Sequence, residues 1–204
     1  MTFFDPMCGW CYGATPLIEV LQANPVIELV MHPGGMIPGR AIEESFRRHI
    51  LQADSRIAAM TGAKFGERYQ AKVSGHEPLI LDSYQTALAV VVAQEIAGKG
   101  FAMLKAIQSA HFIDGKDTSD LAILQQLAVD LGQGEAEWEK AIAKTKLRLT
   151  EIISSSQALM QKLQVRGFPT LLIEKTNQWV TLDHAAFYGH QTGWRDYIAK
   201  ALGA

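Results

Sequence analysis

The sequence predicts an α/β fold of the order β-α-β, helical block, α-β-β-α, with the helical block inserted into a domain built from the two outer pieces. Three observations predict it. The first 31 residues read as strand, helix and strand; residues 41–149 carry helical periodicity only; residues 150–204 return to a helix, two short strands and a closing helix. The predicted units are therefore a discontinuous domain, 1–40 with 150–204, and an all-helical insertion, 41–149.

The first strand is the apolar run Thr2-Phe3-Phe4. A turn follows that carries both cysteines of the chain, Asp5-Pro6-Met7-Cys8-Gly9-Trp10-Cys11-Tyr12-Gly13. Ala14 to Gln22 is amphipathic, with Leu17, Ile18 and Leu21 on one face, and is predicted to be a helix that Pro16 kinks. Asn24-Pro25 breaks the pattern. Val26 to Met31 reads as a mostly buried strand, parallel to the first because a helix connects them. His32 to Gly39 is a glycine- and proline-rich loop. It leaves the sheet edge from which Cys8 emerges, so it either lines the site beside the cysteines or is a plain exit turn. His32 is either a partner for a thiolate or a structural hydrogen-bonder.

Within the block, Ile42, Phe46 and Ile50 recur at four-residue steps, with Arg47 and Arg48 assigned to the outer face. Lys64 to Val73 is a shorter, more polar helix. Ser83 to Ile96 is apolar on most sides and reads as the central helix, ended by Gly98 and Gly100. Phe101 to Phe112 is the next. Thr118 or Ser119 is expected to cap a helix with the stripe Leu121, Leu124, Leu127, Ala128 and Leu131. Glu135 to Thr145 begins with acidic residues, as the macrodipole favours. The block is expected to carry no chemistry of its own beyond forming one wall of a substrate groove.

Leu147 to Leu163 is helical again, with Ile152, Leu159 and Leu163 on one side and Ser154-Ser155-Ser156 marking a bend or a close approach. In Val165-Arg166-Gly167-Phe168-Pro169-Thr170-Leu171-Leu172-Ile173, Pro169 stands where a strand begins, since proline cannot donate to a ladder. Gln178 to Leu182 is its antiparallel partner across the turn Lys175-Thr176-Asn177. Thr192 is the expected cap of a last helix burying Trp194, Tyr197, Ile198 and Leu202.

The composition of 204 residues is that of a globular protein: 48% hydrophobic, 20% charged, formal net charge −2. That charge gives no reason to expect nucleic acid or an anionic membrane as a partner. No apolar run has the length of a membrane span, and the N-terminus lacks the pattern of a secretory signal, so the expected compartment is the cytoplasm. Two cysteines make no disulfide framework, which suits a reducing environment.

Chemistry concentrates at the cysteine pair. A helix start offers unsatisfied N–H groups and the positive end of the macrodipole, and both favour a thiolate. A spacing of two lets the second sulfur reach the first. Cys8 is the candidate attacking thiol and Cys11 the resolving one. Three plainer readings stand beside this. Half a zinc site lacks its other ligands, so no metal site is expected. A structural disulfide across so small a loop constrains the unfolded chain little. Two inert buried thiols fit poorly with the Gly-Trp spacer.

Cys8-Gly9-Trp10-Cys11 together with Gly167-Phe168-Pro169-Thr170 resembles the DsbA-like branch of the thioredoxin superfamily, with the greatest likeness to the cytoplasmic group of FrnE-type disulfide isomerases. The resemblance implies a thioredoxin-like fold with a helical insertion, and a protein-disulfide oxidoreductase or isomerase. Cys8 would be the nucleophile, Cys11 the buried resolving thiol, and Pro169 a cis-proline facing them. Phe168 would then offer its backbone to an extended substrate, and Trp10 an apolar contact. From the residues alone, a trans Phe168-Pro169 bond is favoured. The substrates implied are disulfide-containing proteins or small thiols. No cofactor is required, with glutathione a candidate reductant or co-substrate. The periplasmic oxidant of the family carries Pro-His between its cysteines. Uncharged Trp10 and a nearby Asp5 predict a less oxidising couple than that protein's about −120 mV, closer to roughly −180 to −230 mV. Two other functions are a glutathione-dependent transferase or isomerase of the kappa-like branch, which typically has serine at the position of Cys8, and a redox-independent chaperone or binding module.

Overall fold

The structure, a computed structural model, describes residues 1–203. In chain order the elements are β1 (Thr2–Phe4), α1 (Gly9–Gln22), β2 (Met31–Pro33), β3 (Arg40–Ala41), α2 (Glu44–Thr61), α3 (Glu67–Ser74), β4 (Ile80–Leu81) and α4 (Ser83–Ala97). Then come α5 (Gly100–Phe112), α6 (Leu121–Asp130), α7 (Glu135–Lys146), α8 (Leu149–Lys162), β5 (Thr170–Lys175), β6 (Gln178–Thr181), a 3-10 turn (His184–Phe187) and α9 (Gln191–Leu202).

The outer pieces build one four-stranded sheet of order β2-β1-β5-β6. β1 pairs parallel with β2 and antiparallel with β5, and β5 pairs antiparallel with β6. Side chains alternate across a strand, so Phe3 and Phe4 point to opposite faces. Phe3 packs with Leu172 and with Met160 of α8, while Phe4 and Leu171 join the main core with Leu17, Ile18 and Trp194. Both phenylalanines are fully buried, so the short β1 is covered on both faces. Trp194 donates its indole N–H to the Leu17 carbonyl at 2.9 Å, which fixes α9 against α1. The β5–β6 turn has Thr176 at φ 48° and Asn177 at φ 62°. Two left-handed central residues match the twist a tight hairpin needs.

Several expectations are corrected. α1 starts at Gly9 rather than Ala14, so the cysteine pair is part of the helix start, and the helix runs on through Pro16. Val26 to Val30 is not strand. The Asn24 side chain accepts from the Val26 amide and its carbonyl from Ile27, a local turn over residues 24–27, and Val26 is 74% exposed. The inserted block is not purely helical, because Arg40–Ala41 pairs with Ile80–Leu81. The cap of α6 is Asp120, whose carboxylate accepts from Ala122. Ser119 is held instead by Asp117, and Thr118 is buried with its hydroxyl on the Met7 sulfur. α9 starts after His190, so Thr192 lies inside its first turn and Leu202 is 37% exposed. α8 buries Leu149, Ile153, Ser156 and Met160 rather than the expected face, and its serines do not break it. The Ser156 hydroxyl donates back to the Ile152 carbonyl.

Arg47 departs furthest from expectation. It is 7% exposed, and its guanidinium donates to the carbonyls of Lys72, Val73, Gly75 and Glu77. These are the orphan carbonyls at the end of α3 and just beyond it, where the macrodipole favours a cation. The fork of five N–H groups ties α2 to α3, and a lysine ammonium cannot reproduce that geometry. Arg47→Lys should therefore lower stability to chemical denaturation by about 2–3 kcal/mol, the range for buried charge-assisted hydrogen bonds. A loss below about 0.5 kcal/mol, as at a solvated surface position, would contradict this role.

Candidate active site

Cys8 occupies the N-cap of α1 with extended backbone, φ −84° and ψ 117°, and its carbonyl accepts the Tyr12 amide at 3.0 Å. The side chain is 8% exposed, while Cys11, one turn into the helix, is fully buried. Position separates the two thiols chemically. The Cys8 thiol is pulled below its ordinary value, first by a hydrogen bond from the Cys11 thiol, against the opposing effect of burial, with help from the Cys11 and Trp10 amides. Cys11 is pushed well above its ordinary value, chiefly by burial and further by the negative charge of Cys8. The Asp5 amide donates to the Cys11 sulfur at 3.4 Å. Of the two thiols, Cys8 is thus the more readily ionised and Cys11 the one that holds its proton.

Asp5 anchors the loop before the helix. Its fully buried carboxylate accepts from the Met7 amide at 3.0 Å, the Ser83 hydroxyl at 2.7 Å and the Met36 amide at 2.7 Å. Ser83 in turn accepts from the Ile37 amide. One carboxylate therefore joins the cysteine loop, the 34–37 loop and the start of α4. Burial pushes its pKa up despite these bonds, and its charge opposes ionisation of both cysteines, the direction expected from the sequence.

The Phe168-Pro169 bond is cis, as the family resemblance implied and against the preference of the residues alone. It brings the Phe168 carbonyl to 3.6 Å from the Cys8 sulfur. The Phe168 ring lies over Gly34, where any β-carbon would stand 2.2 Å from it, so a larger residue here would have to displace the ring. Gly167 reaches Phe168 through φ 80°, and its carbonyl accepts the Thr170 hydroxyl. The 32–39 loop thus resolves toward the site: Gly34 seats Phe168, and Met36 lines the cavity beside Cys8. His32 does not take part. It packs on Phe3 at 5.1 Å, and burial lowers its pKa.

The cavity beside Cys8 has a volume of about 220 Å³. Trp10 borders it and stacks on Tyr188 with ring centroids 5.8 Å apart. The opposite wall comes from the helical block through Asp54, Tyr69 and His111. Tyr69 donates to Asp54 at 2.9 Å; burial raises the Asp54 pKa to about 6 and lowers that of His111 to about 4. Sequence reasoning missed these three and Tyr188. Asp54 did leave a signal, a lone carboxylate in the apolar row Ile50, Asp54, Ile57. Tyr188, in a short turn outside any periodic element, left none. A larger cleft of about 600 Å³ between β2, α4 and α8 is not lined by either cysteine. Among the described residues no group of three or more His, Cys, Asp or Glu could hold a metal, and no helix is long and apolar enough to cross a membrane.

Comparison with known proteins agrees with this geometry. The cytosolic disulfide reductase DsbM from Pseudomonas aeruginosa is 32% identical, with 98% of this chain and 97% of that one covered and a TM-score of 0.90. A second structure of DsbM, with GSH, gives 32% identity, coverage of 100% and 98%, and a TM-score of 0.91. A candidate protein disulfide isomerase from Nitrosomonas europaea is 23% identical over 100% and 98% of the two chains, with a TM-score of 0.78, and speaks to the fold alone. The family description "DSBA-like thioredoxin domain" matches residues 1–190. The chain is accordingly a member of the DsbA-like thioredoxin family and a thiol-disulfide oxidoreductase.

Proposed function

We propose that the protein is a cytosolic disulfide reductase or isomerase that works through Cys8 and Cys11 and is recharged by glutathione. The observation that carries the reading is the asymmetry of the two thiols: Cys8 at a helix N-cap with its pKa lowered, Cys11 fully buried with its pKa raised. The Cys8 thiolate attacks a substrate disulfide, a mixed disulfide forms, and the departing substrate thiolate takes a proton. Cys11, freed of the repulsion from the Cys8 anion once that sulfur is bonded, loses its proton and attacks Cys8. The second substrate thiol is released and Cys8–Cys11 is left oxidised. The Phe168 carbonyl beside Cys8 is suited to accept a backbone N–H of an extended substrate, while Trp10 and Tyr188 form an apolar rim.

A reducing direction is supported by similarity to a protein named a cytosolic disulfide reductase, and glutathione by the solved structure of that relative with GSH. The opposition of Asp5 to thiolate formation points the same way, since it withholds stabilisation from the reduced, ionised form. The intact cysteine pair disfavours a kappa-type transferase.

Two outcomes are expected. In an insulin-reduction assay Cys8→Ser should fall to the uncatalysed rate, while Cys11→Ser should accumulate a mixed disulfide visible by mass spectrometry. Unchanged turnover by Cys8→Ser would refute the assignment. The second concerns pH. Alkylation by iodoacetamide follows the thiolate, so its rate on Cys8 should rise with pH through a midpoint below the ordinary thiol value of about 8.5. Because the Cys11 thiol is the leading cause of that lowering, Cys11→Ala should move the midpoint upward. A midpoint that stays put or falls would show that the helix start alone sets the acidity.

A further inference from the structure

The cleft of about 600 Å³ between β2, α4 and α8 is bordered by six consecutive residues, 28–33. Successive side chains of an extended chain point to opposite faces, so a cavity that touches all six runs along the backbone edge and not over one face. That edge is open. β2 ends the sheet on this side, and in its ladder Thr2 donates to the Val30 carbonyl and Gly34 to the Phe4 carbonyl. In that register the amide and carbonyl of Met31 and the carbonyl of Pro33 face away from β1. No described residue hydrogen-bonds to them, nor to the backbone of Leu29.

The other walls decide what can reach this edge. Val90 and Val91 of α4 and Ile152 and Leu159 of α8 supply apolar contact. The rim is acidic. Glu28, Glu95 and Glu151 are exposed there, and the one Arg or Lys among the lining residues, Arg148, pairs with Glu95, which also accepts the Thr145 hydroxyl. Glu28 and Glu151 have no cation within 4.0 Å among the described residues. An edge recessed between two helices keeps out the rim of a second folded sheet, yet a single extended chain fits beside it.

We propose that β2 is a docking edge for an extended segment of a protein substrate. The segment joins the sheet as an added strand, with apolar side chains against α4 and α8 and Lys or Arg toward Glu28 and Glu151. That the docked chain is a substrate rests on the disulfide-reductase reading. Parallel strands end on the same side of a sheet: β1 runs into the Cys8 loop, and β2 into Gly34, which seats Phe168. A chain held along β2 therefore leaves the groove on the side of the fold where Cys8 stands. At roughly 3.3 Å per residue the edge from Leu29 to Pro33 is about 13 Å long, room for about five residues of the incoming chain. The groove thus selects flexible, apolar and basic stretches near a disulfide over folded surfaces.

The test uses the whole protein and a fluorescent, cysteine-free peptide in which valine alternates with lysine, followed by anisotropy. This peptide should bind about tenfold more tightly than its counterpart with glutamate for lysine. It should also bind about tenfold more tightly than a version N-methylated at every residue, which keeps the side chains but cannot donate to β2. Glu28→Lys combined with Glu151→Lys should reverse the preference between the lysine and glutamate peptides. Ser155→Trp, at an exposed position on the α8 wall, should fill the groove and weaken the lysine peptide by about fivefold. A disulfide appended to the lysine peptide should be reduced with a higher kcat/KM than a small aromatic disulfide, and Ser155→Trp should lower that ratio, which cancels any harm to the redox centre. Equal affinity for the three peptides, or an unchanged preference in the doubly substituted variant, would overturn the proposal. A wild-type dimer that Ser155→Trp dissociates would overturn it too, by giving the groove to a second copy. Binding with no rate advantage for the appended disulfide would overturn the assignment to substrate. Reduction of neither disulfide, with the binding preferences intact, would instead refute the reductase reading while upholding the docking edge.

Discussion

The structure turns on the unequal burial of two neighbouring thiols at one helix start. Cys8 sits where a helix begins, and its thiolate can take N–H groups that no carbonyl claims; Cys11 sits one turn inside, where a charge has no solvent. The donor that stabilises the Cys8 anion is the Cys11 thiol itself, so the two titrations are opposite sides of one contact. That relation orders the chemistry. In the proposed mechanism the outer thiol attacks first, and the inner one becomes a nucleophile only after the outer sulfur has lost its charge to a covalent bond.

Much of the remaining architecture serves to hold that contact in place. The buried Asp5 carboxylate gathers an amide from its own loop, an amide from the 34–37 loop and a hydroxyl from the start of α4. Gly34 lets the Phe168 ring settle against that same loop, and the Phe168 carbonyl then stands beside Cys8. The helical block is a structural partner of the site. α4 meets Asp5, α2 and α3 wall the cavity, and Gln108 of α5 accepts the Thr15 hydroxyl one turn after Cys11.

The sheet, the order of elements and the two cysteines were legible because each leaves a local mark: period-two or period-3.6 apolar spacing, a proline at a strand start, a Cys-x-x-Cys beside a helix pattern. What stayed hidden depends on contacts distant in sequence. Arg47 looks like a surface residue until α3 ends against it. The second strand looked long because Val26 to Met31 is mostly apolar, yet Asn24 draws Val26 and Ile27 into a turn and the strand begins only at Met31. The cap of α6 was misplaced because Asp117 claims Ser119, and that of α9 because the helix starts after His190, which makes no side-chain cap bond. Asp54 was the readable exception, a charge where the helical stripe called for an apolar side chain. Neither Tyr188 under Trp10 nor the cis bond at Pro169 has a local cue.

The central claim is that the Cys8–Cys11 couple is less oxidising than that of the periplasmic oxidant, because a buried carboxylate and desolvation oppose the anion that a helix start and a thiol donor favour. Its reduction potential, measured by equilibration with glutathione of known redox ratio, tests this most directly. The account predicts a value between roughly −180 and −230 mV, the range of isomerases and glutaredoxins, whereas a value near the about −120 mV of the periplasmic oxidant would contradict it.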